Sequence, residues 1–363
     1  MLTLRILAGA LGALRVGVDE SVSLALFLTA AMWLGAFAVR AGLAERLAGA
    51  VARAASGSAL RLYVLVCGLC AGLTATVSLD GAVVLMVPLL VILTRSSREL
   101  LRPLLLATVG VANAFSLAVP QGNPTNVAVG ERLGLPPAAL VTHLFAPALV
   151  ATLVCVGLVA GVEWRALRAR HRHDERTRGP LSAGEKLAAA ALGAAAVASA
   201  AAPWLGAAPW WVLGGVAALT LAGALLLREP APMPTVPWRL SMQIAALVVV
   251  FDPLAGALHP LGGLASLGAL VVVALAAAAC AGAANNLPAS VVLAGALGPG
   301  GLMPYAALAG LSVGALATPH GSVATLIAFD RAGCPAERYL RLWLPVATAA
   351  TVAAVVALWL LGR

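Results

Sequence analysis

Two ionisable residues, Asp80 and His320, lie inside long apolar runs of the chain, each among small uncharged polar residues. A carboxylate at membrane depth is costly and is a functional hypothesis by default. The chemistry open to Asp80 is the gain and loss of a proton, or pairing with a bound cation, as water reaches it from alternate sides. A protonated or capped carboxyl at a hairpin tip is the bland alternative. His320 reads either as a proton or ligand site or as a hydrogen-bonded turn residue.

Around these two, amides, hydroxyls, glycine and proline concentrate in four tracts: Ser78 to Ala82, Gly122 to Asn126, Ala283 to Ser290 and Thr318 to Thr325. Proline and glycine end one half-helix and let another begin. Free N–H groups at the new N-termini favour electronegative ligand atoms, and freed carbonyls favour cations. The candidate solute contacts are Asn123, Thr125 and Asn126 in the first half and Asn285, Asn286, Ser290, Thr318, Gly321, Ser322 and Thr325 in the second. Asp80 and His320 are the candidates for proton or ion coupling. A single such residue could equally be helix-to-helix glue; the coincidence of four clusters obeying one symmetry is what points to a site. No Lys or Arg falls in any tract, so an anion would be held by helix N-termini, amides and hydroxyls. No nucleophile–base pair and no metal-ligand spacing occurs, which excludes an enzyme reading and leaves no metal or cofactor beyond a coupling H+ or Na+. Cys67 and Cys70 share a helix face and could bridge a thiophilic ligand, or serve as small apolar residues.

The elements that must position these tracts are membrane helices. Of 363 residues, 62% are hydrophobic and only 10% charged, against roughly a quarter charged in soluble domains. Apolar segments 21 to 40, 137 to 162, 185 to 202, 209 to 227, 238 to 258 and 338 to 361 suit spans of about 20 residues. Segments 62 to 94 and 264 to 297 read as re-entrant hairpins, and 103 to 130 and 303 to 329 as broken helices. All Lys and Arg except Arg5, Arg15, Arg132 and Arg363 then fall in loops on one face, which the positive-inside rule makes cytoplasmic. The net charge of +9 is therefore topological and not a nucleic-acid signal, the Arg-rich loop 164 to 178 included.

The predicted fold is an all-α polytopic membrane protein with two inverted-topology repeats, 21–162 and 238–361, joined by a basic loop and connecting helices over 163–237. Residues 1–20 form a short apolar segment, read as a partial or tilted helix, and 42 to 55 an interfacial amphipathic helix. Asp252, His259 and Asp330 lie near span ends and read as structural.

The strongest motifs, NNLPAS (Asn285 to Ser290) and TPHGSVATL (Thr318 to Leu326), resemble those of the ion transporter superfamily, over roughly residues 20 to 361. They are most like the arsenite/antimonite efflux permeases, relatives of sodium/proton antiporters and sodium-coupled di- and tricarboxylate carriers. The resemblance implies that Asn285, Asn286, Pro288, Thr318, Gly321, Ser322 and Thr325 border the substrate, and that Asp80–Gly81 is the first tip. Leu79 stands where those permeases usually carry Asn, and His320 where they carry an aliphatic residue. GNPTN is nearer the antiporter and carboxylate-carrier pattern, whereas the Ser-Asn-Thr tips of carboxylate carriers are missing. The N-terminus is one or two helices shorter than typical.

The implied activity is secondary active transport across the plasma membrane, first arsenite/antimonite efflux in exchange for protons. The alternative is a sodium/proton antiporter or a sodium-coupled organic-anion carrier. The implied partners are a small inorganic or organic solute and the lipid bilayer, with room for a homodimer and for a cytoplasmic energising or regulatory subunit.

Overall fold

A computed structural model describes residues 22–168, 179–236, 266–298, 300–334 and 339–362, with positions 238, 242 and 246. The expected segment 1–20, most of the span 238–258 with Asp252 and His259, and most of the Arg-rich loop lie outside the described residues.

The described chain is helical throughout. In order it forms α1 (Val22–Arg40), α2 (Leu43–Ala55), α3 (Ala59–Leu93), α4 (Leu101–Phe115), α5 (Pro124–Leu133), α6 (Pro137–Val162), α7 (Trp164–Leu167), α8 (Ala183–Leu205) and α9 (Pro209–Leu226). It continues with α10 (Leu267–Ala284), α11 (Asn286–Ala296), α12 (Met303–Val313), α13 (Val323–Ala332) and α14 (Tyr339–Leu361). Eight of the helical stretches among the described residues are long and apolar enough to cross a bilayer. Large side chains such as Leu153, Val197, Trp211 and Leu219 on α6, α8 and α9 face outward, as lipid-contacting surfaces require. The expected amphipathic helix is α2, which buries Leu43, Ala44, Ala48, Ala52 and Ala55.

At 35 residues α3 is too long for one straight crossing, and it breaks at Val77 (φ −124°, ψ 22°) and Ser78 (φ 67°, ψ 169°). The second hairpin segment breaks at Asn285 (φ 78°, ψ 146°), and α10 and α11 pack on one another across it. Both breaks therefore hinge on one non-glycine residue with positive φ and extended ψ, a sparsely populated conformation that surrounding structure must hold.

The broken helices repeat even more closely. Each passes through a 3-10 turn, one extended residue, a Pro-x-Gly 3-10 turn and an extended N-cap. Val119 (−139°, 149°) matches Thr318 (−127°, 152°), and Asn123 (−142°, 131°) matches Ser322 (−139°, 135°). Gly122 and Gly321 are required at these turns, because an added Cβ would run into the carbonyl oxygens of Ser116 and Ala315 respectively. Gly134 (φ 62°) and Gly333 (φ 60°) then end α5 and α13 with left-handed caps. The sequence signature of this correspondence is Leu-Ala-x-Pro-x-Gly, at Leu117 to Gly122 and again at Leu316 to Gly321.

The two halves interlock. The hairpin helix α3 packs against α4 of its own half and α13 of the other, while α11 packs against α5. Close backbone approach makes this feasible: an added Cβ on Gly35 of α1 would stand 2.5 Å from Gly81 O, and one on Gly81 would stand 2.6 Å from Ala31 O. Helix α1 thus crosses α3 immediately after its break.

Candidate functional site at the converging helix starts

Four half-helices begin at one cavity of about 350 Å³. Leu79 and Asp80 are the first residues after the α3 break, and Asn286 and Leu287 the first of α11. Asn123 and Pro124 start α5, and Ser322 and Val323 start α13. Each half thus contributes a hairpin position and a broken-helix position to the same space. The remaining described lining comes from Leu28 and Met32 of α1 and from Val236 and Trp238 after α9.

The same side-chain types do unequal work in the two halves. Asn123 Nδ2 donates to Ser116 Oγ at 3.2 Å and, across the halves, to Ser312 Oγ at 3.2 Å. Its Oδ1 accepts from Thr125 N–H at 3.0 Å, capping α5. Ser322, at the matching place, makes no cap hydrogen bond, and its Oγ is buried with no partner among the described residues.

Asn126 is directed away from the cavity. Its Nδ2 donates to Ser116 O at 2.9 Å and Val119 O at 3.0 Å, satisfying carbonyls that the break leaves free. Thr125, Ser290 and Thr325 are fully buried beside the lining rather than in it. Ser290 Oγ donates to Leu287 O at 2.6 Å, and Thr325 Oγ1 accepts from Asn113 Nδ2 at 3.4 Å across the halves. Asn285 is half-buried: Oδ1 accepts from Leu287 N–H at 3.2 Å, and Nδ2 donates to His320 O at 2.9 Å. Thr318 Oγ1 donates to Gly282 O at 2.8 Å, so the second tip is clamped to its own broken helix. Gly321 provides the tight turn, and the exposed His320 contributes its carbonyl without lining the cavity.

Of the twelve sequence-derived residues, then, Asp80, Asn123, Asn286 and Ser322 line the cavity, and the others build or brace the breaks around it. Asp80 is 4% exposed. The ion pairs among the described residues, Arg46–Glu185 at 2.7 Å and Arg102–Glu163 at 2.9 Å, involve neither it nor the cavity. No group of three or more His, Cys, Asp or Glu that could hold a metal occurs among the described residues.

Sequence reasoning missed two classes of residue. The apolar liners Leu28, Met32, Val236 and Trp238 carry no polar signal. Gln121 stands just before the Gly122 to Asn126 tract, and its Nε2 donates to Ala75 O at 3.1 Å and Ser199 O at 3.2 Å. It joins the first tip, the first broken helix and α8; Ser199 Oγ adds a 3.3 Å bond to Thr76 O.

A family profile described as citrate transporter (CitMHS) matches residues 2–353. The chain belongs to the citrate transporter family. This family consists of membrane transporters and not enzymes, so the chain is a multi-pass secondary transporter with a solute and the lipid bilayer as its partners. Among solved structures this family member is similar to the YdaH transporter of Alcanivorax borkumensis, whose crystal structure is described as revealing an unusual topology. The TM-score is 0.51 at 15% identity, covering 99% of this chain and 90% of that one. At that identity the likeness is one of fold. No curated protein matches the chain.

Proposed function

We propose that this family member carries a small organic anion across the cytoplasmic membrane by alternating access, with the cavity at the four helix starts as its binding site. The observation that carries this reading is the convergence itself. Each helix N-terminus presents unsatisfied N–H groups and about half a positive charge, so four of them attract an anion although none of the described lining residues is Lys or Arg. Asn286 and Ser322 supply polar contacts, and Asn123 caps α5 beside them. Thr125, Asn126, Asn285, Ser290, Thr318, Gly321 and Thr325 hold the breaks in shape. Asp80 couples transport to H+ or Na+, with the exposed His320 as the second candidate. The inverted halves 21–162 and 238–361, with re-entrant hairpins, are the elements that rock about the site.

A second reading, arsenite or antimonite exchange for protons, is favoured by the NNLPAS and TPHGSVATL motifs and by the neutral amides and hydroxyl in the lining. One experiment separates the two: uptake of labelled citrate, succinate, phenylacetate and arsenite into proteoliposomes of the purified protein under imposed proton or sodium gradients. Saturable carboxylate uptake supports the anion carrier. Arsenite uptake with no carboxylate uptake replaces it with the second reading.

A further inference from the structure

The cavity is chemically divided by the elements that build it. Its polar side chains, Asp80, Asn123, Asn286 and Ser322, all stand at helix starts of the two repeats. Among the described residues, the elements from outside those breaks contribute side chains that are apolar but for the Trp238 indole N–H. Leu28 and Met32 lie one turn apart on α1, which the Gly35 and Gly81 approach fixes directly beside Asp80. Val236 and Trp238 come from the segment after α9, which is tied to α1 by a 2.8 Å hydrogen bond from Trp33 Nε1 to Pro232 O. Leu79 and Leu287 extend the apolar surface between the helix starts.

From this division we infer that the solute is an amphipathic monocarboxylate, with one anionic head and an aryl or branched-alkyl body, rather than a polycarboxylate. The inference rests on the anion-carrier reading above. The head meets the N–H groups and the side chains of Asn286 and Ser322, while the body covers Leu28, Met32, Val236 and Trp238. A flexible thioether and an indole face suit a ring. A tricarboxylate with its first carboxylate in that position would press the other two against the apolar elements. Of the described side chains there, Leu28, Met32 and Val236 carry no donor and Trp238 a single indole N–H, too few for two carboxylates, and ionised groups so placed lose hydration with little compensation. A methylene-sized change in an apolar pocket alters discrimination by about 10-fold or more, so a whole ring suffices to set preference.

The test is binding by the purified full-length protein of phenylacetate, 4-methylpentanoate, succinate and citrate, each measured by isothermal titration. Phenylacetate is expected to bind at least about tenfold more tightly than citrate. Two variants, Trp238→Ala and Met32→Asn, are expected to weaken phenylacetate about tenfold and so to narrow or reverse its advantage over succinate. Trp238 is exposed and Met32 half-buried, and gel filtration checks that each variant stays monodisperse. Tighter binding of citrate or succinate than of phenylacetate, unmoved by either variant, overturns the inference and leaves the carrier reading intact. Failure of all four carboxylates to bind removes both.

Discussion

Replacing Asn123 and Ser322 by alanine, one at a time, separates architecture from recognition at two matching positions. Asn123→Ala removes the cap bond to Thr125 N–H and the two bonds to Ser116 and Ser312. A lost N-cap costs about 1 kcal/mol, and each interhelical side-chain bond in a membrane protein about 0.6 kcal/mol. The variant should therefore be destabilised by about 2 kcal/mol. Ser322→Ala removes a buried hydroxyl that has no partner among the described residues, so the expected stability change is about zero or slightly favourable. Its effect falls on the solute instead: loss of one hydrogen bond inside the cavity weakens binding by about 0.5–1.5 kcal/mol, a factor of roughly 2 to 13. Thermal unfolding in detergent and concentration-dependent uptake in proteoliposomes measure the two quantities separately. Equal destabilisation by both substitutions, or wild-type uptake by Ser322→Ala, would refute the reasoning, because the asymmetry of the hydrogen bonding would then carry no energetic consequence.

The glycines of the two Pro-x-Gly turns give a second expectation. Gly122→Ala and Gly321→Ala should each abolish recovery of monodisperse protein, since the added Cβ meets a backbone carbonyl, whereas Gly134→Ala meets open space and should cost only about 1 kcal/mol through its left-handed φ; gel-filtration yield distinguishes them. Asp80→Asn preserves shape but cannot titrate, so gradient-driven accumulation should fail while solute exchange survives, and accumulation at the wild-type level would exclude Asp80 from coupling. Single cysteines in a cysteine-free background at Gly179 should be labelled by an impermeant reagent only from the cytoplasm, and at Gly134 or Gly300 only from outside. Cytoplasmic labelling at Gly300 would contradict the inverted arrangement of the halves.

Composition and periodicity were enough to locate the helices of the described residues and their interruptions. The clusters of Gly, Pro and Asn mark places where an apolar helix cannot continue, and the bounds expected for the second connecting helix, 209 to 227, differ by one residue from α9 (Pro209–Leu226). The symmetry was equally present in the residue order, since Leu-Ala-x-Pro-x-Gly recurs with matching backbone angles. What no linear reading could assign is the direction of each polar side chain. At a break that direction depends on single dihedral choices, such as φ 67° at Ser78 and 78° at Asn285. These aim Asp80 and Asn286 into the cavity. Asn126 and Thr325, with the same chemistry one turn into their helices, are spent on carbonyls and cross-half bonds. The apolar part of the lining was still less accessible, because Leu28 and Met32 belong to a helix that is apolar almost all round. Only the close crossing of α1 over Gly81 selects which of its faces lines the cavity.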